Sequence, residues 1–385
     1  MRVLILSCST GGGHNAAAHA IEEEMKRRGH TVTVLDPYEL KGRNLDHKVG
    51  DFYIHLVQRA PSLFGVAYRM GELYRRLPWR SPVYWVNGRM CSRMKEYLKA
   101  HPVDVIIMTH LFPGEILTYM KNQGIQLPET VFVATDYTCI PFTEEIDCDY
   151  YVIPSAALEA EYEARGIDGK RLVPYGIPVA HAFGEKADRA KLLDSLGLAA
   201  NRHYLLLSGG SMGAGKIFRM VETLMDYLSA HADTSLIVVC GSNDRLYERI
   251  FRRYGKAPQL ILLHHTERMA DYMKISDVFL SKPGGLSSTE AAASGVPLIH
   301  ISPIPGCETR NMDFFAEKGM SIEAGNDEER LVPALEKLRS ARAVSEIRSN
   351  QRAQVNPFAA KEICELVERT AGAGKRGEAI RKENT

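Results

Sequence analysis

The sequence predicts an α/β protein built from two Rossmann-like, doubly wound halves, and three observations predict it. A short apolar strand, a glycine-rich turn and a helical run occur in that order twice. The first copy is Val3-Leu-Ile-Leu6, Ser7-Cys-Ser-Thr-Gly-Gly-Gly-His14 and the run to Met25; the second is Tyr204-Leu-Leu-Leu207, Ser208-Gly-Gly-Ser-Met-Gly-Ala-Gly215 and the run from Lys216. Strand-sized apolar runs then alternate with helical patterns through each half, as in a parallel sheet covered on both faces. Finally, 385 residues suit two domains of roughly 150 to 200 residues better than one core.

Taken in order, the strands of the first half are expected at 2–7, 31–35, 103–108, 130–134 and 149–153, and those of the second at 204–207, 235–240, 259–263, 277–280 and 297–301. Pro174-Tyr-Gly-Ile-Pro178 interrupts the alternation and is the expected hinge. The domains are therefore read as 1–176 and 177–354, followed by a helix at 355–371 that crosses back to the first domain. A tail at 372–385, opening Gly-Ala-Gly-Lys-Arg-Gly-Glu, is read as disordered.

Residues 41–99 exceed what one crossover helix needs and are read as an insertion. It carries twelve basic residues against four acidic and both tryptophans, Trp79 and Trp85. Pro61 opens a predicted helix that places Leu63, Ala67, Met70, Tyr74 and Leu77 on one face. With Arg69, Arg75, Arg76, Trp79 and Arg80, this is a surface suited to an anionic bilayer. The same pattern also fits a helix packed on its own domain with solvated arginines.

The net charge of +1 implies no general attraction to nucleic acid. Seven cysteines without a C-x-x-C pair point to neither a disulfide framework nor a zinc knuckle, and fit a reducing cytoplasm. No uncharged stretch approaches the ~20 residues that span a bilayer. The expected location is cytoplasmic, peripheral on the inner face of the cell membrane.

A glycine loop lets backbone approach a phosphate, which the following helix N-terminus can hold. In the first loop, Gly11-x-Gly13-x-x-Ala16 with Asp36 satisfies a dinucleotide fingerprint and raises an NAD-dependent oxidoreductase as a rival. Against it stands His14, which puts an imidazole at a helix start. There the dipole favours its neutral form and makes it either a general base or a cap. The second loop, Gly210-x-x-x-x-Gly215-Lys216, lacks a Walker-type hydroxyl because Ile217 follows. What remains suits a diphosphate without metal, with Ser211 and the loop amides as donors. Downstream, Lys282-Pro-Gly284-Gly285 leads into a helix carrying Glu290, whose carboxylate suits a ribose diol. Pro303-Ile-Pro-Gly-Cys-Glu308-Thr-Arg-Asn311 offers Glu308 and Asn311 to sugar hydroxyls. His110 and Asp136 follow the third and fourth strands on the edge that holds His14, and Asp136 either orients or assists the base. Asp147-Cys-Asp149 has the form of a manganese-binding D-x-D, yet it leads into a strand, so no metal is assigned.

Gly-Gly-Gly-His14, Gly-Gly-Ser211-x-Gly-Ala and Lys282-Pro-Gly-Gly…Thr-Glu290-Ala-Ala, followed by Pro-Gly-x-Glu308-x-x-Asn311, resemble glycosyltransferase family 28. They are most similar to its glycolipid branch of bacterial diacylglycerol glucosyltransferases and plant monogalactosyldiacylglycerol synthases. The resemblance implies a GT-B fold, a UDP-sugar on the C-terminal half and a lipid acceptor on the N-terminal half. It further implies that Gly210, Ser211 and Gly213 meet the diphosphate and Thr266 and Met269 the uracil. Gly284, Gly285 and Glu290 would meet the ribose side, and Glu308 with Asn311 the hexose. His14 lies by the reacting hydroxyl, with Gly12, Gly13 and His110 around the acceptor. Cys307 stands where the lipid branch usually has Gln, which leaves the hexose open. The expected activity is inverting, metal-independent hexosyl transfer, glucose favoured over galactose, from a UDP-hexose to diacylglycerol. Alternatives are UDP-N-acetylglucosaminyl transfer to another lipid, a UDP-sugar epimerase, and a non-enzymatic UDP-sugar sensor.

Overall fold

In a computed structural model, residues 1–8, 12–41, 61–211, 213 and 215–383 are described. Gly11 of the dinucleotide fingerprint and residues 42–60 of the insertion lie outside them. The first sheet consists of β1 (Arg2–Leu6), β2 (Thr31–Leu35), β3 (Val105–Met108), β4 (Glu129–Val133), β5 (Tyr150–Val152) and β6 (Leu172–Val173), in the order β2-β1-β3-β4-β5-β6. The second consists of β7 (His203–Ser208), β8 (Thr234–Val239), β9 (Leu260–Leu263), β10 (Val278–Ser281), β11 (Leu298–Ile301) and β12 (Ser321–Gly325), in the order β12-β11-β10-β7-β8-β9. Every pairing is parallel.

Each sheet holds one strand more than the sequence reading expected, and both additions are edge strands. β6 is two residues long, closed by Pro174, and β12 has a single β-branched residue and an exposed Glu323. Interior strands are continuous apolar runs because helices cover both faces. Val3 and Ile5 of β1, Val105 and Ile107 of β3, and Val131 and Val133 of β4 pack with Ala18, Ile21 and Met25 of the helix Gly12–Arg27.

The described residues fall into two compact units, one of 1–41, Tyr68–His181 and 357–383, the other of 61–67 and Ala182–Asn356. The break follows His181, beyond Pro174–Pro178. Gly176 N–H there donates to the Ile153 carbonyl, and Ile177 is fully buried. The last helix, Ala359–Glu383, returns to the first unit. Ile363, Cys364 and Val367 enter its core, while Arg28 and His30 meet Glu368 at 2.9 and 2.8 Å. Its backbone stays helical to Glu383, which corrects the reading of 372–383 as disordered. Ala, Lys, Arg and Glu favour helix strongly enough to carry the three glycines there.

The insertion contributes helices Pro61–Tyr74, Pro82–Gly88 and Cys91–Ala100. The first turns an unexpected side inward. Gly71 sits against Pro141, where a Cβ would stand 3.3 Å from the proline Cβ. The Arg75 guanidinium, only 1% exposed, is bidentate to Glu144 at 2.8 and 2.6 Å and donates to the Cys139 carbonyl. Arg75 is therefore withdrawn from the predicted membrane face, because a desolvated cation needs its counter-ion more than a surface. Arg80 is exposed but donates to the Glu145 carbonyl and lies 5.0 Å over Tyr84. Met70, Leu73 and Trp79, each about two-thirds exposed, stand outward with exposed Arg69 and Arg76.

Candidate functional site

Both sheets reverse their winding beside their founding strand, between β1 and β3 and between β7 and β10. Ligands of open α/β sheets bind outside the carboxyl ends of the strands at such points. In the first unit the switch point holds His14. Its Nδ1 lies 2.9 Å from the Thr109 carbonyl oxygen and 2.9 Å from Thr135 Oγ1. A carbonyl only accepts, so Nδ1 carries the proton and Nε2 keeps its lone pair. Burial lowers the His14 pKa, opposed by the negative charge of Asp136 and by the Thr109 carbonyl. The result is a neutral imidazole with an available base.

His110 stands edge-on to His14, ring centroids 4.5 Å apart, and its Nδ1 accepts from Phe112 N–H at the start of helix Leu111–Asn122. Burial, with His14 adding to it, holds His110 well below the ordinary histidine range. It is thus a cap and a neutral wall. The surrounding pocket is lined by Thr109, Ala134, Thr135, Asp136, Ile140 and Thr143 among others. Gly12 and Gly13 open the helix that carries His14.

In the second unit the loop after β7 is closed by its neighbours. Gly213, at φ +54°, packs so tightly that a Cβ would stand 2.3 Å from the Cys240 carbonyl, and its own carbonyl accepts from Asn243 Nδ2. Ser242 N–H binds the Ser211 carbonyl at 2.9 Å, and Lys216 N–H reaches Ser302 Oγ. Gly210, at φ +75°, has no atom within 4 Å of a would-be Cβ and lies open. The loop opens into helix Ile217–Ser229, an anion-binding arrangement.

Across the switch point, Gly284 precedes the buried helix start Gly285 of Gly285–Ser294, and Glu290 lies one turn further on. Burial alone pushes the Glu290 carboxyl up to about 8. Lys282, 6% exposed, pairs with Glu308 at 2.9 Å, and the other Glu308 oxygen accepts from Ile304 N–H. Thr266 follows β9 and accepts from Arg268 N–H, and Met269 begins the next helix.

One sequence expectation changes here. Asn311 is fully buried and its side-chain amide donates to the Pro283 carbonyl, so it holds the Lys-Pro-Gly-Gly turn from beneath instead of presenting that amide to a sugar. The D-x-D carboxylates are also committed: Asp147 to Arg171 at 2.8 Å, Asp149 to Thr130 N–H and Oγ1. Among the described residues, no cluster of three His, Cys, Asp or Glu side chains could hold a metal. Asp36, the ribose acid of the oxidoreductase rival, accepts from Tyr38 N–H. Sequence reasoning gave no role to Thr109, whose carbonyl sets the His14 tautomer, to Thr135, whose hydroxyl joins it at Nδ1, or to Asn243, Lys282 and Ser302, which shape the second loop. All five lie within four residues of a strand's carboxyl end, the one signal that could have found them.

Two Rossmann-like units, one with a neutral histidine and the other with a glycine-rich turn at its switch point, make up a hexosyltransferase of the GT-B fold. The family model for monogalactosyldiacylglycerol (MGDG) synthase matches residues 14–179, and that for the glycosyltransferase family 28 C-terminal domain matches 204–364. The chain belongs to glycosyltransferase family 28, in the branch that contains these synthases. It is 28% identical over 354 residues to a processive diacylglycerol beta-glucosyltransferase of Bacillus licheniformis, covering 90% of this chain and 89% of the relative. A protein of the same description from Bacillus subtilis is 27% identical, covering 85% and 84%. Acinetobacter baumannii MurG shares the fold with a TM-score of 0.61 at 16% identity, covering 96% of this chain and 99% of that one. So does the UDP-GlcNAc 2-epimerase of Neisseria meningitidis bound to UDP-GlcNAc, with a TM-score of 0.64 at 12% identity, covering 96% and 100%.

Proposed function

We propose that the chain transfers a hexose, glucose in preference to galactose, from its UDP derivative to diacylglycerol, with inversion, at an anionic membrane surface. The observation that carries this reading is His14, a neutral imidazole with Nδ1 tied to the Thr109 carbonyl. Its Nε2 takes the proton of the acceptor hydroxyl as that oxygen attacks the anomeric carbon, a contribution of about 10²–10⁴-fold. UDP leaves from the opposite face. The amides of the Gly210–Gly215 loop and the N-terminus of helix Ile217–Ser229 receive the diphosphate charge, with no metal required. Glu290 takes the ribose hydroxyls. The names of the relatives support the glucosyl donor and the diacylglycerol acceptor.

No described helix is long and apolar enough to cross a membrane. Met70, Leu73, Leu77, Trp79 and Trp85, exposed beside Arg69 and Arg76, support docking from the surface. The test is incubation with diacylglycerol liposomes and UDP-glucose or UDP-galactose, with mass spectrometry of the extracted lipid. Hexosyl-diacylglycerol is expected, undiminished by EDTA and reduced at least a hundredfold in His14→Ala. A soluble, epimerised sugar nucleotide with unmodified lipid would refute the proposal.

A further inference from the structure

Two residues that line the His14 pocket carry hydroxyls with no hydrogen-bond partner among the described residues. Thr109 and Thr143 are each 1% exposed, and Oγ1 of each makes no bond. Buried hydroxyls are nearly always satisfied, so a pair left open beside a candidate base needs an explanation. Both residues line the same pocket as His14 and Asp136.

Thr143 is also held there at a cost. It follows Phe142, whose φ of +74° is left-handed, a conformation that a non-glycine residue adopts only when its surroundings impose it. The surroundings are visible. Phe142 stacks edge-on with Tyr74, Gly71 packs on Pro141, and Arg75 grips Glu144 and the Cys139 carbonyl. The helix that carries Met70 and Leu73 outward therefore clamps, on its inner side, the loop that delivers Thr143 to the pocket.

We propose that Thr109 and Thr143 are acceptor-positioning residues. Their hydroxyls donate to an oxygen of the lipid headgroup that neighbours the reacting hydroxyl, and so aim that hydroxyl at His14. In a diacylglycerol this oxygen belongs to an acyl ester; in a lipid already bearing a sugar it is a second hydroxyl. Each is a hydrogen-bond acceptor, which is the chemistry two unpartnered O–H groups select. The inference rests on the proposed glycolipid synthesis and adds the residues that recognise its acceptor.

The test compares wild type with Thr109→Val, Thr143→Val and Thr143→Ser. Its readouts are acceptor KM, kcat, the UDP dissociation constant and thermal stability, with three acceptors in mixed micelles: a diacylglycerol, its ether-linked dialkyl counterpart and a hexosyl-diacylglycerol. The valine variants are expected to raise KM for diacylglycerol about tenfold or more, leave UDP affinity unchanged and melt no lower than wild type. Thr143→Ser is expected to restore KM. If the ester is the recognised oxygen, the dialkyl lipid will already show the high KM in wild type and be insensitive to the substitutions. If the sugar hydroxyl is recognised, the penalty will be largest with the hexosyl lipid. Active valine variants with unchanged acceptor KM overturn this inference alone, and mean that a bound water satisfies the two hydroxyls. A wild type that transfers to none of the three lipids overturns the proposed function and this inference together.

Discussion

With Glu290 on the ribose, as proposed, UDP binding becomes sensitive to pH in a way that can be worked out beforehand. Its carboxyl sits near 8 in the free protein because burial disfavours the charge. A carboxylate that accepts two ribose hydroxyls is favoured in its ionised form, so UDP binding lowers that pKa and expels a proton. The sign follows: affinity rises with pH until the free carboxyl is ionised. With a pKa of about 8, roughly 9% of the free protein is ionised at pH 7 and about 76% at pH 8.5. The affinity for UDP should therefore grow about eightfold over that range, worth about 1.2 kcal/mol. Near pH 7 close to one proton should be released per UDP bound. Calorimetry in two buffers of different ionisation enthalpy measures both quantities. Glu290→Gln, which cannot ionise, should bind more weakly and show neither the slope nor the proton. A wild-type affinity flat between pH 7 and 8.5, or an unchanged slope in Glu290→Gln, would refute the assignment of Glu290 to the ribose.

Other outcomes follow from the packing. Gly213→Ala forces a Cβ onto the Cys240 carbonyl and strains a left-handed residue by about 1–2 kcal/mol, so UDP affinity should fall more than tenfold in titrations. Arg75→Leu strands Glu144 and should cost roughly 3 kcal/mol in urea unfolding, whereas charge reversal at Arg69 and Arg76 should leave stability within about 0.5 kcal/mol and weaken sedimentation with anionic liposomes. His300 is wholly buried between Ser288 and Ser321, which brings its pKa down to about 3. The unfolded chain binds a proton there near pH 6.5 and the folded chain does not, so stability present above pH 6.5 is lost as pH falls toward 3. Urea unfolding at pH 5 against pH 7 should show a loss of about 2 kcal/mol from this residue, absent in His300→Asn.

The architecture was legible because both glycine turns follow apolar strands buried on two faces, and such strands carry a continuous apolar signature. β6 and β12 escaped because one is only two residues long and the other, Ser-Ile-Glu-Ala-Gly, carries a single β-branched side chain, whereas the edge strands β2 and β9 keep apolar residues enough to be seen. The chemistry of the site was legible where one residue type suffices, as with His14 after three glycines or Glu290 after Lys-Pro-Gly-Gly. It was not legible where a distant partner decides. Nothing near Arg75 in sequence says that Glu144 will bury it while Arg76 stays outside, and nothing near Asn311 says that Pro283 will claim its amide. Thr109 and Thr143 are unremarkable threonines until the fold sets both around one pocket with their hydroxyls unpartnered.

The return of the last helix to the first unit also fixes an order of events at the ribosome. Ala182–Asn356, which holds the whole second sheet, is one unbroken stretch, able to collapse as soon as it emerges. The earlier unit must wait, because Ile363, Cys364 and Val367 complete its core and are made only after Asn356. The unit that carries His14 is thus begun before the other and completed after it. Its apolar sheet face stays incompletely covered throughout synthesis of Ala182–Asn356, so a chain stalled before Ala359 would release a folded second unit tethered to an unfinished first.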